Sequence, residues 1–433
     1  MIKKGISALS LACLWGTLFS CQSSGSTDSQ EITLRNRAAI ALTDKAIAIN
    51  RSELPGIPEG QVYPLLLTQN GDTIASQLDD LDGDNKWDEL FLVTDLPANG
   101  EQVLQLTWVN TAPQHTVRTN VRFGKRSAKD QPVQPKTSDT LSANQVHTAL
   151  GYQPYQTDGP SWENDKVGFR HYLDGRNSKD LFGKKTAAMS PDKVGLSATG
   201  AVEDNYHQMQ DWGRDIMAVG NSVGIGGVAM MIGDQFPRIG ITNNDTVNNV
   251  ESTVFRILAK GPVRSKMQIS YNNWKPANTA RSYTMVETPA ITPGMYAYQN
   301  TVSVTSGLQG DETLLVGMNN LDKTFPLEEM PVGDNWIALL THDNETYNKE
   351  WMLPLALLVP KDAYQGYTAA PETGPVAQAW FAKLAVKADE PITYYAVGAW
   401  EVSDEQFKNL DYFRNYVKDL TQQIDAKVDV TVK

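Results

Sequence analysis

Alternating hydrophobic and polar residues along most of the chain predict β-strands rather than helices. The alternation is clear in residues 102–109, 263–271, 297–304 and 392–397. Successive side chains on a strand point to opposite faces, so a period of two indicates a strand with one buried face. Turn signals separate these stretches, among them Asn70-Gly71, Asn99-Gly100 and Pro293-Gly294. The pattern therefore predicts many short strands joined by tight turns.

Helical patterns are few in this sequence. The best is near the C-terminus, where apolar residues recur at helical spacing at Phe407, Leu410, Phe413, Val417, Leu420 and Ile424. Ser403 and Gln406 have the spacing of a capping box, which predicts that the helix begins there. A second, shorter helix is predicted over residues 206–217.

This balance predicts an all-β protein with a few accessory helices. A large two-sheet sandwich and a propeller both suit about 400 residues of antiparallel strands. A propeller would show an internal repeat of about 40–50 residues, and the sequence has none. We therefore predict a large antiparallel β-sandwich that forms a single domain from residue 31 to residue 433.

The N-terminus has the pattern of a bacterial lipoprotein signal. Lys3 and Lys4 precede an apolar stretch over residues 6–19, which is too short for a permanent membrane span. The stretch ends in the letters LFSC, which resemble a lipobox whose cysteine is Cys21. We expect residues 1–20 to be removed, Cys21 to carry lipid, and residues 21–30 to form a tether. The alternative is an ordinary secretory signal followed by a free thiol.

The residues at and after Cys21 indicate the cell compartment, and the net charge argues against nucleic acid as a partner. Gln22 follows Cys21 where an Asp would retain a lipoprotein in the inner membrane, so we expect the outer membrane of the cell envelope. The other cysteine, Cys13, lies inside the signal, and the mature chain has no disulfide. The formal net charge is −12 and no basic stripe is present. An acidic exported protein of this kind is a poor candidate for nucleic-acid binding.

An acidic run, DLDGDNKWDE at residues 80–89, lies between two predicted strands. Its aspartates are Asp80, Asp82, Asp84 and Asp88. Carboxylates at alternate positions around a tight turn can converge on one hard cation. Phe91 stands where a helix–loop–helix calcium loop has its glutamate, so the run is closer to the shorter calcium turns between strands. We predict a structural Ca²⁺ and no organic cofactor; the alternative is a solvated acidic turn.

Residues 161–185 begin SWENDKVGFRHYLDGRN, and a strand is predicted over residues 166–173. One face of this strand would carry Lys166, Arg170 and Tyr172. Arginine can hold a carboxylate through two parallel hydrogen bonds, and tyrosine can stack on a sugar ring. This face therefore predicts a site for an anionic sugar.

The surroundings of this strand extend the predicted site. Trp162 and Glu163 lie at its entry and are candidate substrate-binding residues. His171 is a further candidate, although it shares the apolar face of the strand, where a satisfied core histidine is the alternative. The alternative for Arg170 is a partly exposed ion pair.

Residues 203–215, EDNYHQMQDWGRD, gather several side chains that can carry protons. On the predicted helix, His207 and Asp211 lie four residues apart on one face. Asp211 could then fix one ring nitrogen of His207 and leave the other free as an acid or base. Tyr206 is a second proton carrier, and Trp212 is a candidate substrate-binding residue. A purely structural His207 and a zinc site shared with His171 remain as alternatives.

Three blocks of the sequence resemble one family. They are DLDGDNKWDELF, WENDKVGFRHYLDGRNSKDLFGKK and YHQMQDWGRDIMAVGNSVGIGG. They resemble a domain-of-unknown-function family of lipoproteins from Bacteroidetes polysaccharide-utilisation clusters, over residues 30–430. The resemblance implies a galactose-mutarotase-like supersandwich. It also implies dehydration of terminal uronic acids on oligosaccharides such as ulvan fragments.

This implied reaction assigns roles to the candidate residues. Elimination across C4–C5 of a uronate needs a group that neutralises the carboxylate, a base for the C5 proton and an acid for the leaving oxygen. Arg170 with Lys166 would neutralise the carboxylate, while Tyr206 and His207, or Tyr172, would move the protons. We predict a lyase-type enzyme with an oligosaccharide substrate. A non-catalytic glycan-binding lipoprotein and a mutarotase- or hydrolase-like sugar enzyme remain as alternatives.

Overall fold

The computed structural model describes residues 29–60, 62–145, 153–242, 245, 247–321 and 326–433. The predicted signal peptide, the lipidation site Cys21 and nearly all of the tether lie outside these residues and stay predictions. No helix in the described ranges is long and apolar enough to cross a membrane.

Antiparallel sheets make up nearly all of the regular structure in the described residues, which confirms the predicted all-β fold. The other regular elements are one α-helix and short 3₁₀ turns at residues 51–53, 143–145, 156–158, 347–349 and 405–408.

Strands from the two ends of the chain form a small sandwich. They are β1 (Gln30–Asn36), β2 (Leu42–Asn50), β3 (Tyr63–Thr68), β4 (Thr73–Ile74), β5 (Ser76–Asp79), β6 (Glu89–Leu96), β7 (Glu101–Val109) and β28 (Val428–Val432). One sheet has the order β28-β1-β7-β3-β4 and the other β2-β6-β5. Leu104, Leu106 and Trp108 of β7 are buried between them, as the alternation over residues 102–109 predicts. This sandwich has its own hydrophobic core. The single-domain prediction for residues 31–433 is not decided by this arrangement and stays a prediction.

The centre of the molecule is a nine-stranded sheet. Its strands are β11 (Ser138–Ser142), β17 (Val250–Lys260), β18 (Ser265–Trp274), β19 (Tyr283–Ile291), β20 (Ala297–Ser306), β22 (Glu328–Val332), β23 (Trp336–Thr341), β24 (Leu355–Pro360) and β27 (Ile392–Gly398). Their order is β11-β17-β18-β19-β20-β27-β24-β23-β22. The predicted strands over residues 263–271, 297–304 and 392–397 lie in β18, β20 and β27.

Two smaller sheets pack on one face of the central sheet and complete the large sandwich. The first comprises β8 (Thr119–Arg122), β12 (Ser161–Asn164), β13 (Val167–His171), β14 (Lys179–Lys184) and β15 (Gly213–Asp215). The second comprises β16 (Gly227–Ile232), β21 (Glu312–Asn319), β25 (Tyr364–Ala369) and β26 (Ala379–Ala385). The short pair β9 (Gly124–Lys125) and β10 (Gln134–Pro135) lies apart. The central sheet and these two smaller sheets contribute to one core. In this core the ring of Phe169 of β13 meets that of Tyr298 of β20 edge to face, with centroids 4.6 Å apart.

The C-terminal helix, α1 (Leu410–Asp425), buries the face that its apolar periodicity predicts. Phe413, Val417 and Leu420 are buried, and they join the large core. The predicted capping box is wrong in position. The helix is capped by Asn409, whose side chain accepts from two backbone N–H groups of the first turn. Asp404 instead caps the preceding 3₁₀ turn.

The helix predicted over residues 206–217 is wrong, because this segment forms turns followed by β15. The amide of Asp215 donates to the carbonyl of Tyr206 at 2.9 Å, which folds the segment back on itself. Gly213 has a φ of 138° and lies against β14, where an added Cβ would stand 1.8 Å from the carbonyl oxygen of Gly183. Strand pairing therefore determines this backbone, and it overrides the local helical spacing.

Candidate active site

Arg170 lies at the centre of a buried charge cluster, and the strand register places it there. In β13, Arg170 stands directly opposite Asp180 of β14. Opposed residues on paired strands share a face, so this register brings the two charges together. The next strand, β15, adds Asp215. The strand predicted over residues 166–173 is present as the shorter β13 (Val167–His171).

Both terminal nitrogens of the Arg170 guanidinium are engaged inside the protein. It donates to Asp215 Oδ2 at 2.8 Å, to the Tyr172 hydroxyl at 2.8 Å and to Asp180. Asp158 Oδ2 lies 3.4 Å from the other terminal nitrogen. The Arg170 side chain is only 1% exposed. The expectation that Arg170 holds a substrate carboxylate is therefore wrong, because protein carboxylates and Tyr172 occupy its terminal nitrogens. The alternative of an ion pair is met, but the pair is buried rather than partly exposed.

Two tyrosines close the cluster around Arg170. The Tyr172 hydroxyl donates to Asp180 Oδ2 at 2.7 Å, and the Tyr206 hydroxyl lies 3.3 Å from Asp158 Oδ2. The Arg170 guanidinium lies over both rings, 4.5 and 5.1 Å from their centroids. Burial raises the pKa of both phenols above the ordinary value. Both therefore stay protonated near neutral pH and act as hydrogen-bond donors rather than bases.

His207 is the accessible member of the cluster. Its side chain is 42% exposed, and its Nδ1 lies 3.3 Å from Oδ2 of the buried Asp215. That same oxygen accepts from Arg170, so an electron-rich atom faces Nδ1. A proton on Nδ1 would leave the Nε2 lone pair free. Burial first, and then the charge of Arg170, lower the pKa of His207, so the imidazole is neutral near pH 7.

The carboxylates of the cluster carry more charge than one guanidinium can balance. Burial raises the pKa of Asp158 to about 6, with Arg170 opposing the rise. Burial also raises the pKa of Asp215 well above its ordinary range, and the neighbouring Asp180 adds to the rise. The cluster therefore holds dissociable protons next to a neutral imidazole. Such perturbed groups at an accessible position are typical of catalytic sites.

Tyr347 forms the outer wall of the site and comes from a distant part of the chain. It begins the 3₁₀ turn at residues 347–349, and its amide donates to the carbonyl of Ile216 at 3.2 Å. The rings of Tyr206 and Tyr347 lie 4.7 and 5.4 Å from the imidazole of His207. Burial raises the pKa of Tyr347, so its phenol stays protonated and can donate a hydrogen bond.

The structure brings together the four residues that the sequence predicts as catalytic: Arg170, Tyr172, Tyr206 and His207. Three of them lie behind the surface, and His207 is the one in contact with solvent. The predicted partner of His207 is wrong. Asp215, and not Asp211, lies beside the imidazole, because residues 206–215 fold as a turn and a strand rather than a helix.

The three candidates at the strand entry lie elsewhere. Lys166 is exposed and its ammonium lies 5.8 Å from the ring centroid of Tyr296. Trp162 is buried in the core, where its ring stacks on Phe169 at 5.8 Å. Glu163 is buried and accepts a hydrogen bond of 2.6 Å from the ammonium of Lys184. Trp162 lies on the sheet face opposite Arg170, and Glu163 shares the face of Arg170 but is bound to Lys184 and Ser190, so neither is free for a ligand there.

Among the described residues, no hydrogen bond joins the remaining substrate-binding candidates to the Arg170 cluster. His171 is fully buried on the opposite face of β13, where burial and then Lys179 lower its pKa. A zinc site shared by His171 and His207 therefore lacks the necessary geometry. Asp211 is exposed on the turn. Trp212 is buried, and its ring meets that of Phe182 at 6.0 Å.

Sequence reasoning missed Asp158, Asp180, Asp215 and Tyr347. A weak signal exists for two of them. Asp180 and Asp215 each lie among residues that are otherwise buried, within the blocks that carry the family resemblance. A charged residue in a short buried strand must find a partner, which is a reason to suspect a site. Asp158 and Tyr347 lie in turns and carry no such signal.

The acidic turn between β5 and β6 brings part of the predicted calcium ligands together. Carboxylate oxygens of Asp80, Asp82 and Asp88 lie within 4.8 Å of one another. Asp84 is not part of this group; it lies 3.6 Å from the ammonium of Lys86. Oxygen donors at this spacing fit a Ca²⁺ ion. Binding of calcium stays a prediction.

Calcium should raise the melting temperature of the protein, and a chelator should lower it. A ligand that binds only the folded state stabilises it by about 2.7 kcal/mol at a hundred times its Kd. Asp82→Asn removes a ligand and should abolish the shift. Asp84→Asn is the matched control and should keep it. Thermal unfolding with calcium or chelator measures both, and an unchanged wild-type melting temperature would show a merely solvated turn.

Comparison with known proteins places the chain in a family. The family model described as "Domain of unknown function (DUF4861)" matches residues 34–430. The chain belongs to this family. One relative is "Uncharacterized protein P7" of Formosa agariphila. The two sequences are 22% identical over 434 residues, which cover 96% of this chain and 97% of that protein.

Solved structures with a similar arrangement come from Enterococcus faecalis. One is a protein in the glycosyl hydrolase family 38, with a TM-score of 0.47 and 11% identity over 93% of this chain. Another is an α-mannosidase, with a TM-score of 0.46 and 10% identity over 93% of this chain. This DUF4861 chain spans about half the length of each, 47% and 46% respectively.

Proposed function

We propose that this DUF4861 protein is a lyase-type enzyme that dehydrates the uronic-acid end of polysaccharide-derived oligosaccharides, such as ulvan fragments. The observation that carries the proposal is the half-exposed, neutral imidazole of His207 beside the buried Asp215 carboxylate. A neutral imidazole held in one orientation is suited to remove a weakly acidic C–H proton. The family resemblance of the three sequence blocks supplies the substrate class.

In the proposed reaction, Nε2 of His207 removes the C5 proton of the uronate. The C5–H electron pair forms the C4=C5 double bond, and the C4–O bond breaks. The departing hydroxyl takes a proton and leaves as water. The phenol of Tyr347, which is partly exposed beside the imidazole, supplies that proton. The product is an unsaturated uronate.

The substrate carboxylate needs stabilisation as the C5 proton leaves, because it gains negative charge. Arg170 cannot contact it, since three aspartates and Tyr172 surround the guanidinium. Arg214 would take this role instead, although one of its terminal nitrogens donates to the partly exposed Glu350 at 2.8 Å. The charge of Arg214 already acts on the imidazole of His207. Arg170 has a positioning role, because it orients Asp215 behind His207.

A direct assay tests the proposed activity. Incubation of the protein with saturated uronate-terminated oligosaccharides should produce the ultraviolet absorbance of a conjugated enol acid, together with a product that has lost one water in mass. A neutral oligosaccharide of equal length should give neither signal. If uronate oligosaccharides bind without forming this chromophore, the protein is a glycan-binding lipoprotein and the lyase proposal is wrong.

The pH dependence of turnover should show the titration of His207. The imidazole must be neutral to accept a proton, and its pKa is lowered from the ordinary value near 6.5 by burial and by Arg170. Activity should therefore be retained as the pH falls to 6.5 and be lost only below it, on the acidic side. Steady-state kcat/KM between about pH 4 and pH 8 measures this limb. An acidic limb above pH 6.5 would contradict a neutral His207 as the base.

The same proposal places the enzyme in the cell envelope, anchored through lipid on Cys21. The export and lipobox pattern of the N-terminus supports this location, with the outer membrane favoured by Gln22.

A further inference from the structure

A cavity apart from the His207 cluster is lined by more cationic than acidic side chains. It lies between the end of β8, the segment at residues 133–138 and the loop at residues 190–196, and its volume is about 780 Å³. Cavities of about 300–1,000 Å³ are typical of sites for small organic ligands. None of the residues proposed for catalysis lines it.

Four cationic side chains line this cavity, and one acidic residue, Asp192, accompanies them. The cations are Arg122, Lys136, Lys193 and Lys260. None of the four forms an ion pair with another described residue, although the whole chain has a net charge of −12. In an acidic protein, unpaired cations gathered around one cavity concentrate positive potential there and attract anions.

Arg122, which is buried in the lining of the cavity, is the residue that most favours an anionic ligand. It is only 8% exposed, yet it donates to two neutral oxygens, Ser190 Oγ at 3.2 Å and the Pro191 carbonyl at 3.0 Å. Its Nε has no hydrogen-bond partner among the described residues. Glu163, a nearby carboxylate, accepts from Lys184 and Ser190 instead. Ser190 Oγ stands between Arg122 and Glu163, and no carboxylate of the described residues forms an ion pair with the guanidinium. A buried charge normally has an opposite charge in direct contact, so the charge of Arg122 is only partly balanced.

The walls of the cavity indicate what kind of anion fits. Val133, Pro135, Leu196 and Ile257 line it with apolar groups, and the three lysines are exposed at its rim. A single sulfate or phosphate ion would leave most of this volume unfilled. An oligosaccharide could place the apolar face of a sugar ring on these walls and reach several cations with its oxyanions. Arginine binds sulfate and carboxylate oxygens through paired N–H donors.

We propose that this cavity binds an anionic saccharide, with a sulfate or carboxylate group held by Arg122 and further anionic groups by Lys136, Lys193 and Lys260. The site is separate from the His207 cluster, although Gln156 in its lining is two residues from Asp158. Binding there does not depend on the lyase activity. The cavity would hold the saccharide whether the protein cleaves, dehydrates or only retains it.

Calorimetric titration of four probes tests the proposal: a sulfated galactose tetrasaccharide, a galacturonate tetrasaccharide, a neutral galactose tetrasaccharide and inorganic sulfate. The protein is the full chain with His207→Ala, so that no turnover contributes heat. The test variant adds Lys136→Glu, Lys193→Glu and Lys260→Glu, which are all surface changes. The control variant adds Lys361→Glu, Lys418→Glu and Lys427→Glu, which change the net charge equally at exposed positions elsewhere.

For at least one anionic tetrasaccharide, the affinities of the parent and of the control variant should agree within about twofold. The same tetrasaccharide should bind the test variant at least about tenfold more weakly. Added salt should weaken this binding, since exposed charges are screened. Comparison of the sulfated and galacturonate probes identifies the anionic group. Equal affinities of test and control variants, equal binding of the neutral probe, or binding of inorganic sulfate alone would each overturn the proposal. Failure of the ultraviolet assay would leave this result unaffected.

Discussion

His207→Ala should reduce turnover of uronate-terminated oligosaccharides by about 10²–10⁴-fold, which is the usual contribution of a positioned proton carrier. Binding should change much less, because the imidazole is one wall of an open site and is half exposed. The measurement is kcat and KM by the ultraviolet assay. The effect should fall on kcat, since the base acts in the transition state rather than in substrate binding.

Two aspartate variants provide the matched comparison for His207. Asp215→Asn alters the carboxylate 3.3 Å from Nδ1 and should lower kcat, because the orientation and the tautomer of the ring are lost. Asp211→Ala changes an exposed residue of the same segment and should leave kcat within about twofold, as surface changes usually do. Normal turnover by His207→Ala together with an inactive Tyr172→Phe would show that the proton carriers are the tyrosines, and the assignment of His207 would be wrong.

Arg170→Met should lower the free energy of unfolding by about 3–5 kcal/mol, the usual cost of removing one member of a buried ion pair. The substitution keeps the length of the side chain but leaves Asp180 and Asp215 fully buried beside Tyr172 without their shared cation. Urea unfolding followed by circular dichroism measures the change. Any loss of activity in this variant would therefore be caused in part by loss of the folded structure around His207.

A surface ion pair gives the control for this large effect. Arg37 pairs with Asp429, and both side chains are well exposed, at 71% and 45%. Arg37→Met should therefore cost at most about 1 kcal/mol. Adding Asp215→Asn to Arg170→Met should recover part of the lost stability, because one unpaired charge is removed. If Arg170→Met is as stable as the wild type, the surrounding aspartates are already protonated, and the buried cluster is not an ionic one.

The sequence predicted the large-scale architecture because the controlling signal is local. Alternation with a period of two in residues 102–109 or 297–304 indicates which side chains face the core, wherever the partner strand comes from. The apolar face of α1 follows from its own spacing in the same way. The three sequence blocks also pointed to a domain-of-unknown-function family, since they can be recognised without knowing how they pack.

The composition of the active site was determined by the tertiary structure. Residues 158, 170, 180, 207, 215 and 347 meet through strand register and through turns that pack on them, and no spacing along the chain encodes those contacts. Asp215 rather than Asp211 stands beside His207 because pairing of β15 with β14 overrides the local helical pattern. Arg170 is buried rather than exposed because three strands and two tyrosines enclose it. Whether a charged residue meets solvent or another charge depends on what covers it, and only long-range packing decides that.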